Sequence, residues 1–382
     1  MTLALFWIAA CALIYSLVGY PAILLAISKL FPSWQPRQDM EAPGKVSFLI
    51  AGYNEAPVIA DKLRNTLALE TGGSEVQIIM VCDGSSDGTA DAARVVEHPA
   101  ITVLEPGRQG KAGALHTGLE HCTGDIVVFS DANAMLTKSS LLAMKRHYTD
   151  ARVGGVCGQI TIETEGASGI GKSEGLFWRY DQAMKYAESR IGGAVSAQGS
   201  VYSLRRALAR GPRDGCTDDF DISVAAMHAG KRLVFEPNAC TTEETTEEVA
   251  SEMRRRIRSS ERGWRSLMYN ASLMNPFRHG WYAWQLFSHK FVRRLNPFLL
   301  AILFVSNLFL MNDGLLYLLA GLMQIAFYSA AVAGLLVPEL RKNKIIGLAS
   351  FFTLAHVALA IGILRCLSGQ KSTLWTPARK ES

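Results

Sequence analysis

Residues 3–30 form one nearly unbroken apolar run, and this run limits what the 382-residue chain can fold into more than any other feature. It is longer than the roughly 20 residues a helix needs to cross a bilayer core. Inside lipid every backbone N–H and C=O must be satisfied within the segment, so the run has to be helical. It lacks the basic start of a signal peptide and exceeds its core, and Lys29, Arg37 and Lys45 lie at or beyond its end. Positive charge collects on the cytoplasmic side, so the run reads as an uncleaved anchor with its N-terminus outside.

Three further runs, 297–311, 315–337 and 345–363, are spanning candidates, and together they explain a hydrophobic content of 49%. Met311-Asn312-Asp313-Gly314 reads as an outer turn and Arg341-Lys342-Asn343-Lys344 as an inner one. These three crossings leave the C-terminus outside, whereas Arg365, Lys371, Arg379 and Lys380 against Glu381 argue for the inside. A re-entrant or interfacial segment would reconcile the two. Two other stretches mix aromatic and basic residues as the headgroup layer favours. One is 172–191, with Phe177, Trp178, Tyr180 and Tyr186; the other is 276–295, with Trp281, Tyr282, Trp284, Phe287 and Phe291 beside Lys290, Arg293 and Arg294.

Between the anchor and these segments the pattern changes to short apolar runs, each feeding a polar turn and then a helix. The run 46–51 leads into Gly52-Tyr53-Asn54-Glu55, with Pro57 suited to a first helical turn. The run 77–82 ends in Asp83-Gly84-Ser85-Ser86-Asp87-Gly88-Thr89, and 101–105 precedes Gly107-Arg108-Gln109-Gly110-Lys111-Ala112-Gly113. The run 125–130 ends in Asp131-Ala132-Asn133. This alternation predicts an α/β domain with a mainly parallel sheet, whose polar turns open on the edge where the strands end. Oxygen ligands placed there, together with glycine N–H groups and one lysine, suit a diphosphate and a hard divalent ion.

Taken in order, Tyr53-Asn54-Glu55, Asp83-Gly84-Ser85, Gly110-Lys111-Ala112, Asp131-Ala132-Asn133 and Thr217-Asp218-Asp219 resemble the family 2 glycosyltransferases, over about 46–264. The resemblance implies a Rossmann-like GT-A domain. It implies that Tyr53, Asn54, Glu55 and Asp83 form the base and ribose pocket, with uridine the favoured base, that Lys111 lies near the diphosphate, and that Asp131 and Asn133 hold Mg2+ or Mn2+. Cys82 stands where many relatives have a first Asp, and Asn133 supplies a neutral oxygen where they have a carboxylate, so metal affinity is expected to be weaker. Asp219 matches the base of the family's T-E-D motif, with Asp218 in place of Glu. An inverting transfer needs such a carboxylate to take the acceptor's proton, and an adjacent acid raises its pKa. Thr217 or Asp218 also suits an N-cap of the helix that follows.

Gln198-Gly199-Ser200 resembles the family's acceptor-side segment. In 253–264, aligned on Q-x-x-R-W of membrane-bound polymerising relatives, Arg255 falls at the Gln, Arg258 at the Arg and Ser259 at the Trp. Arg258 is expected to clamp the diphosphate bidentately. A basic helix on an anionic membrane surface is the competing reading.

The seven cysteines show no C-x-x-C pair and no metal spacing with histidine, which fits a reduced compartment. The net charge of +5 lies beside membrane segments, so nucleic acid is not an expected partner. The expected organisation is an anchor at 1–32, a cytoplasmic GT-A domain at 43–270, an interfacial helix at 276–295, transmembrane helices at 296–366 and a basic tail at 367–382. The resemblance runs to bacterial exopolysaccharide synthases of the poly-N-acetylglucosamine and hyaluronan type. It implies an inner-membrane, multi-pass enzyme using a UDP-sugar, a polysaccharide or lipid acceptor, membrane lipids and export proteins. The alternatives are a single-transfer glycolipid or polyprenyl-phosphate transferase, or a catalytically silent scaffold.

Overall fold

The computed structural model describes the backbone of residues 1–32, 34–162, 169–243 and 249–371, and their side chains except for 162–178 and 243–252. The side chains of Phe177 and Trp178, and the tail beyond 371, lie outside the described residues.

Eight strands form one sheet among the described residues: β1 (Lys45–Gly52), β2 (Glu75–Cys82), β3 (Ile101–Leu104), β4 (Ile126–Asp131), β5 (Met135–Leu136), β6 (Val153–Ile162), β7 (Val201–Arg205) and β8 (Arg232–Glu243). Their order is β3-β2-β1-β4-β7-β6-β8-β5. The pairs β3–β2, β2–β1 and β1–β4 are parallel, and β7 enters antiparallel to both β4 and β6. The chain runs outward from β1 to β3 and then returns to place β4 on the other side of β1. The carboxyl ends of β1 and β4 therefore flank the switch point at which open α/β sheets bind ligands. Register puts Ala51 opposite Asp131 and Gly52 opposite Cys82, so the predicted turns open on one edge.

Both faces of the sheet are covered, which is why its strands are continuous apolar runs. Leu49, Ala51, Ile79, Val81, Val127 and Phe129 pack on one face with Ala114, Leu115 and Leu119 of the helix Gly110–His121. The alternate residues Phe48, Ile50, Ile78, Met80 and Val128 pack on the other with Ile59 and Leu63 of the helix Ala56–Leu67.

Among the described residues four helices are long and apolar enough to cross a membrane: Thr2–Ser28, Pro276–Leu310, Leu315–Leu336 and Lys344–Leu367. The first contains a π-helical turn at Tyr15–Gly19, which meets a second π-helical stretch, Phe287–Val292. There Tyr15 Oη lies 2.7 Å from Ser288 Oγ, and Ser16 Oγ donates to Asn296 Oδ1 at 2.7 Å. The expected interfacial helix 276–295 and the span that begins at 297 are one rod, interrupted only by Gly280 at φ 50. Pro297 sits inside that rod without ending it, one turn beyond the π-helical stretch where the hydrogen-bond ladder is already loosened. Phe277, 98% exposed, with Trp281 and Phe287 gives the rod an apolar outer face.

The last helix has a placement that composition alone did not show. Near its start Ser350 Oγ donates to Ala331 O, and at its far end Arg265 donates to Gln370 O. Between these points it lies against the helix Val249–Tyr269, so closely at Gly362 that an added Cβ would meet Ile257 O at 2.6 Å and Glu261 N at 2.8 Å. Gly362→Val is expected to lower stability by about 1–3 kcal/mol through overpacking against backbone that cannot yield. A thermal melt of the detergent-solubilised protein checks this.

Candidate active site

The edge is built by loops that hold one another. Asn54 adopts a left-handed conformation, φ 54, and is fixed from both sides: its N–H donates to Ser85 Oγ at 3.1 Å and its Oδ1 accepts from Ser86 N at 3.0 Å. Glu55 N donates to Thr89 Oγ1 at 2.9 Å and Ala56 N to Asp87 Oδ2 at 3.0 Å. Residues 53–56 and 85–89 thus form one rigid wall.

Asp83 is completely buried, and its carboxylate is engaged by the protein itself. Oδ1 accepts from Gln109 N at 2.6 Å and Gly110 N at 3.0 Å, anchoring the start of the helix Gly110–His121, while Arg108 Nη1 reaches Oδ2 at 2.6 Å. Gly84, at φ +64, lies where an added Cβ would strike Arg108 N at 2.7 Å, so only glycine lets the two loops meet. Arg108 Cζ in turn stands 3.3 Å from the centre of the Tyr53 ring. The Asp83 carboxylate, expected in the base and ribose pocket, fastens the Arg108–Tyr53 stack. The motif Gly107–Gly113 contains Arg108, but nothing local marks it as the partner of Asp83.

The centre of the site is Lys111. Its Nζ lies 2.8 Å from Asp131 Oδ1, at the end of β4, and 2.8 Å from Asp218 Oδ2. Burial works against its charge, but the two acids outweigh it and hold the ammonium protonated above its usual range. Asp131 itself sits over a second, fully buried lysine, Lys62, which donates to Ser130 Oγ at 2.8 Å and Ala134 O at 2.5 Å. Burial drops Lys62 to about 7 against the raising field of Asp131. Sequence reasoning passed over Lys62, although a lysine on the apolar face shared with Ile59 and Leu63 was the available signal.

Asp218 and Asp219 open the short helix Asp218–Ser223, after Thr217 at the cap position. The side chain of Thr217 makes no capping bond; its N–H donates to Ser266 Oγ at 2.9 Å, and Asp219 Oδ1 accepts from Phe220 N at 2.8 Å. Burial, and then the charge of Asp218, push the Asp219 carboxyl above its usual 3.8. A Cβ on Gly199 would lie 3.5 Å from Asp131 Oδ2, which places the Gln198–Ser200 turn beside the same acid. Gln198 is held by its Nε2, which donates to Asp181 Oδ2 at 2.9 Å, and its buried Oε1 accepts nothing among the described residues.

On the helix Val249–Tyr269, Arg255, Arg258 and Arg262 recur at helical spacing on one face. Arg255 is exposed and Arg258 half-buried. Arg262, not singled out in the sequence, reaches furthest in: burial and Arg258 lower its pKa while Asp218 opposes them. Trp264 is not at the position of the motif's Trp; it is buried and stacks on Phe291, with ring centres 5.7 Å apart.

Among the described residues no cluster of three or more His, Cys, Asp or Glu forms a metal cage. Asp131 and the Asn133 amide fit a divalent ion that takes its remaining ligands from phosphate and water, the way Mg2+ is commonly bound.

Fold and site together define a Rossmann-like GT-A domain mounted on membrane helices. The chain belongs to the family described as glycosyltransferase like family 2, whose model matches residues 43–261. It is 28% identical over 226 residues to poly-beta-1,6-N-acetyl-D-glucosamine synthases of Staphylococcus aureus strains, covering 57% of this chain and 54% of theirs. With the synthase of that name from Staphylococcus epidermidis the identity is 25% over the same length. The chain thus spans about half the length of the curated relatives it matches. The solved structure of the mannosyltransferase PcManGT from Pyrobaculum calidifontis, in complex with GDP-Man and Mn2+, aligns with a TM-score of 0.72 at 22% identity, over 96% of this chain and 100% of that one, and shows the same fold.

Asp83→Ala is expected to cost about 3 kcal/mol, because it removes the carboxylate that accepts from Arg108 and from Gln109 N and Gly110 N. Denaturant or thermal unfolding in detergent checks the figure.

Proposed function

We propose that the chain is an inverting glycosyltransferase that moves a sugar from a UDP-sugar to a growing polysaccharide at the membrane. One observation carries the reading: a single ammonium, that of Lys111, touches both the acid at the end of β4 and the acid beside Asp219. A donor-side carboxylate and an acceptor-side carboxylate pair therefore meet at the switch point of the sheet. Direct transfer requires that arrangement, since the hydroxyl and the anomeric carbon must be held in line.

In this reading Tyr53, Asn54, Glu55 and the Asp83-fastened Arg108 shape the nucleoside pocket. Lys111, Arg258 and Arg262 bind the diphosphate. Asp131 and Asn133 would hold Mg2+ or Mn2+, which supplies positive charge to the leaving diphosphate. Asp219 takes the proton of the attacking hydroxyl, while Asp218, held by Lys111, keeps its neighbour's pKa raised. Gln198 offers its Oε1 to an acceptor hydroxyl. The relatives' printed names favour N-acetylglucosamine as the sugar and a polysaccharide as the product.

The domain faces the cytoplasm, where nucleotide sugars are made. Three helices cross the bilayer. The fourth, Lys344–Leu367, lies along Val249–Tyr269 at Gly362, with Arg265 on Gln370 just past its end, and in this reading it stays on the inner side and leaves the basic tail inside. Export proteins complete the assembly.

Asp219→Asn should lower turnover by about two orders of magnitude or more while UDP-sugar binding survives. Because the base must be ionised and its pKa is raised, turnover in the unsubstituted protein should fall as pH drops through a value above 3.8. The Asn variant should lose that limb, and a pH–rate profile of UDP release reads both. Asp131→Ala should abolish metal-dependent UDP binding and Asn133→Asp should tighten metal affinity, as measured by titration calorimetry. Arg258→Lys should weaken UDP binding because a point charge cannot reproduce two parallel hydrogen bonds, and Arg254→Lys, on an exposed residue, should not. Equal affinities would leave Arg258 a membrane-surface charge.

A further inference from the structure

Where the helix Val249–Tyr269 meets the membrane helices, a groove encloses about 450 Å3. Arg256, Arg293, Ser259 and Ser260 stand among its walls, Leu17, Phe351 and Phe352 give it an apolar lining, and among the described residues no acid lines it. Aromatic faces place the two guanidinium groups: Arg256 Cζ lies 5.0 Å from the Phe351 ring centre and Arg293 Cζ 5.5 Å from that of Tyr180. A second cavity of about 290 Å3 shares Phe352 and His356 with the first and continues past Pro297, Leu300 and Phe304.

The groove also has a buried polar group in want of a partner. Asn296 is 1% exposed; its Oδ1 accepts from Ser16 Oγ, but its Nδ2 meets no acceptor among the described residues. An amide N–H left unmade in such surroundings is costly, so the groove calls for an acceptor oxygen beside Asn296. Free inorganic phosphate would make no use of the apolar lining and its continuation. Two arginines among the walls favour an anionic head group over a neutral one.

We propose that this groove binds an anionic phospholipid, its phosphate diester held by Arg256 and Arg293 with one oxygen accepting from Asn296 Nδ2, and an acyl chain lying along the apolar lining into the second cavity. The lipid would tie the helix bearing Arg258 and Arg262 to the bilayer. The proposal stands on the groove and not on the sugar-transfer reading, and its test needs no sugar donor.

The full chain is equilibrated with equal amounts of phosphatidylglycerol and phosphatidylcholine in mild detergent, and the lipid it retains is counted by native mass spectrometry. Phosphatidylglycerol should be retained at least tenfold over phosphatidylcholine. The double variant Arg256→Gln/Arg293→Gln should lose that preference. So should Asn296→Asp, which keeps an oxygen for Ser16 but sets a carboxylate against the phosphate; its melting temperature reports its folding, and it decides the matter should the double variant fail to fold. Lys342→Gln/Lys344→Gln, on an exposed basic turn, should keep the preference. Equal retention of the two lipids, or an unchanged preference in Asn296→Asp, would overturn the proposal. Displacement of the lipid by millimolar inorganic phosphate alone would overturn it too, because the site would then read only a free anion.

Discussion

The ammonium of Lys111 between Asp131 and Asp218 is the contact on which the site depends. Without a cation there, two carboxylates from opposite sides of the edge would face each other in partly buried surroundings, where like charges repel strongly. With it, the turn after β4 and the start of the helix Asp218–Ser223 are drawn together. The same contact sets the electrostatics next door. Asp218 is held beside its lysine, and after burial its charge contributes to raising Asp219.

The sheet brings these groups into range. Apolar runs buried on both faces fix the register, and register fixes which turns share an edge. Asp83 then converts loops into a wall by giving one oxygen to two helix N–H groups and the other to Arg108. The membrane helices act through packing: the polar contacts of Tyr15 and Ser16 hold the first helix to the rod 276–310, and Gly362 lets the last helix press against the backbone of Val249–Tyr269. The helix that carries the arginine face is thereby set between the catalytic domain and those helices.

The parts that were legible in the sequence are those whose signal is local. The strands β1 to β4 each announce themselves as an apolar run closed by a polar turn, and the acids at the turns follow. β6 and β8 do not, since Gly154, Gly155 and Gly158 interrupt one and Pro237 the other, and their pairing is bulged. Residues whose role is a partner distant in sequence also stayed hidden. Lys62 looks like a misplaced surface lysine until Ala134 is seen above it, and Arg108 looks like a loop cation until Asp83 and Tyr53 are in place. The rod 276–310 continues through Pro297, and the aromatic and basic residues of 276–295 do not reveal that continuity. The close packing of Lys344–Leu367 on Val249–Tyr269, and the contact of Arg265 with Gln370 just past its end, are what composition could not supply.

The central claim is that the edge around Lys111 receives a nucleotide diphosphate and its metal. A structure of the full chain with UDP and Mn2+, in which the ion is located by its anomalous signal, tests it most directly. The account predicts the ion at Asp131 and Asn133, the uracil against the wall of 53–56, and Lys111 in contact with the diphosphate. An ion lying away from both side chains, or UDP bound elsewhere on the domain, would contradict it.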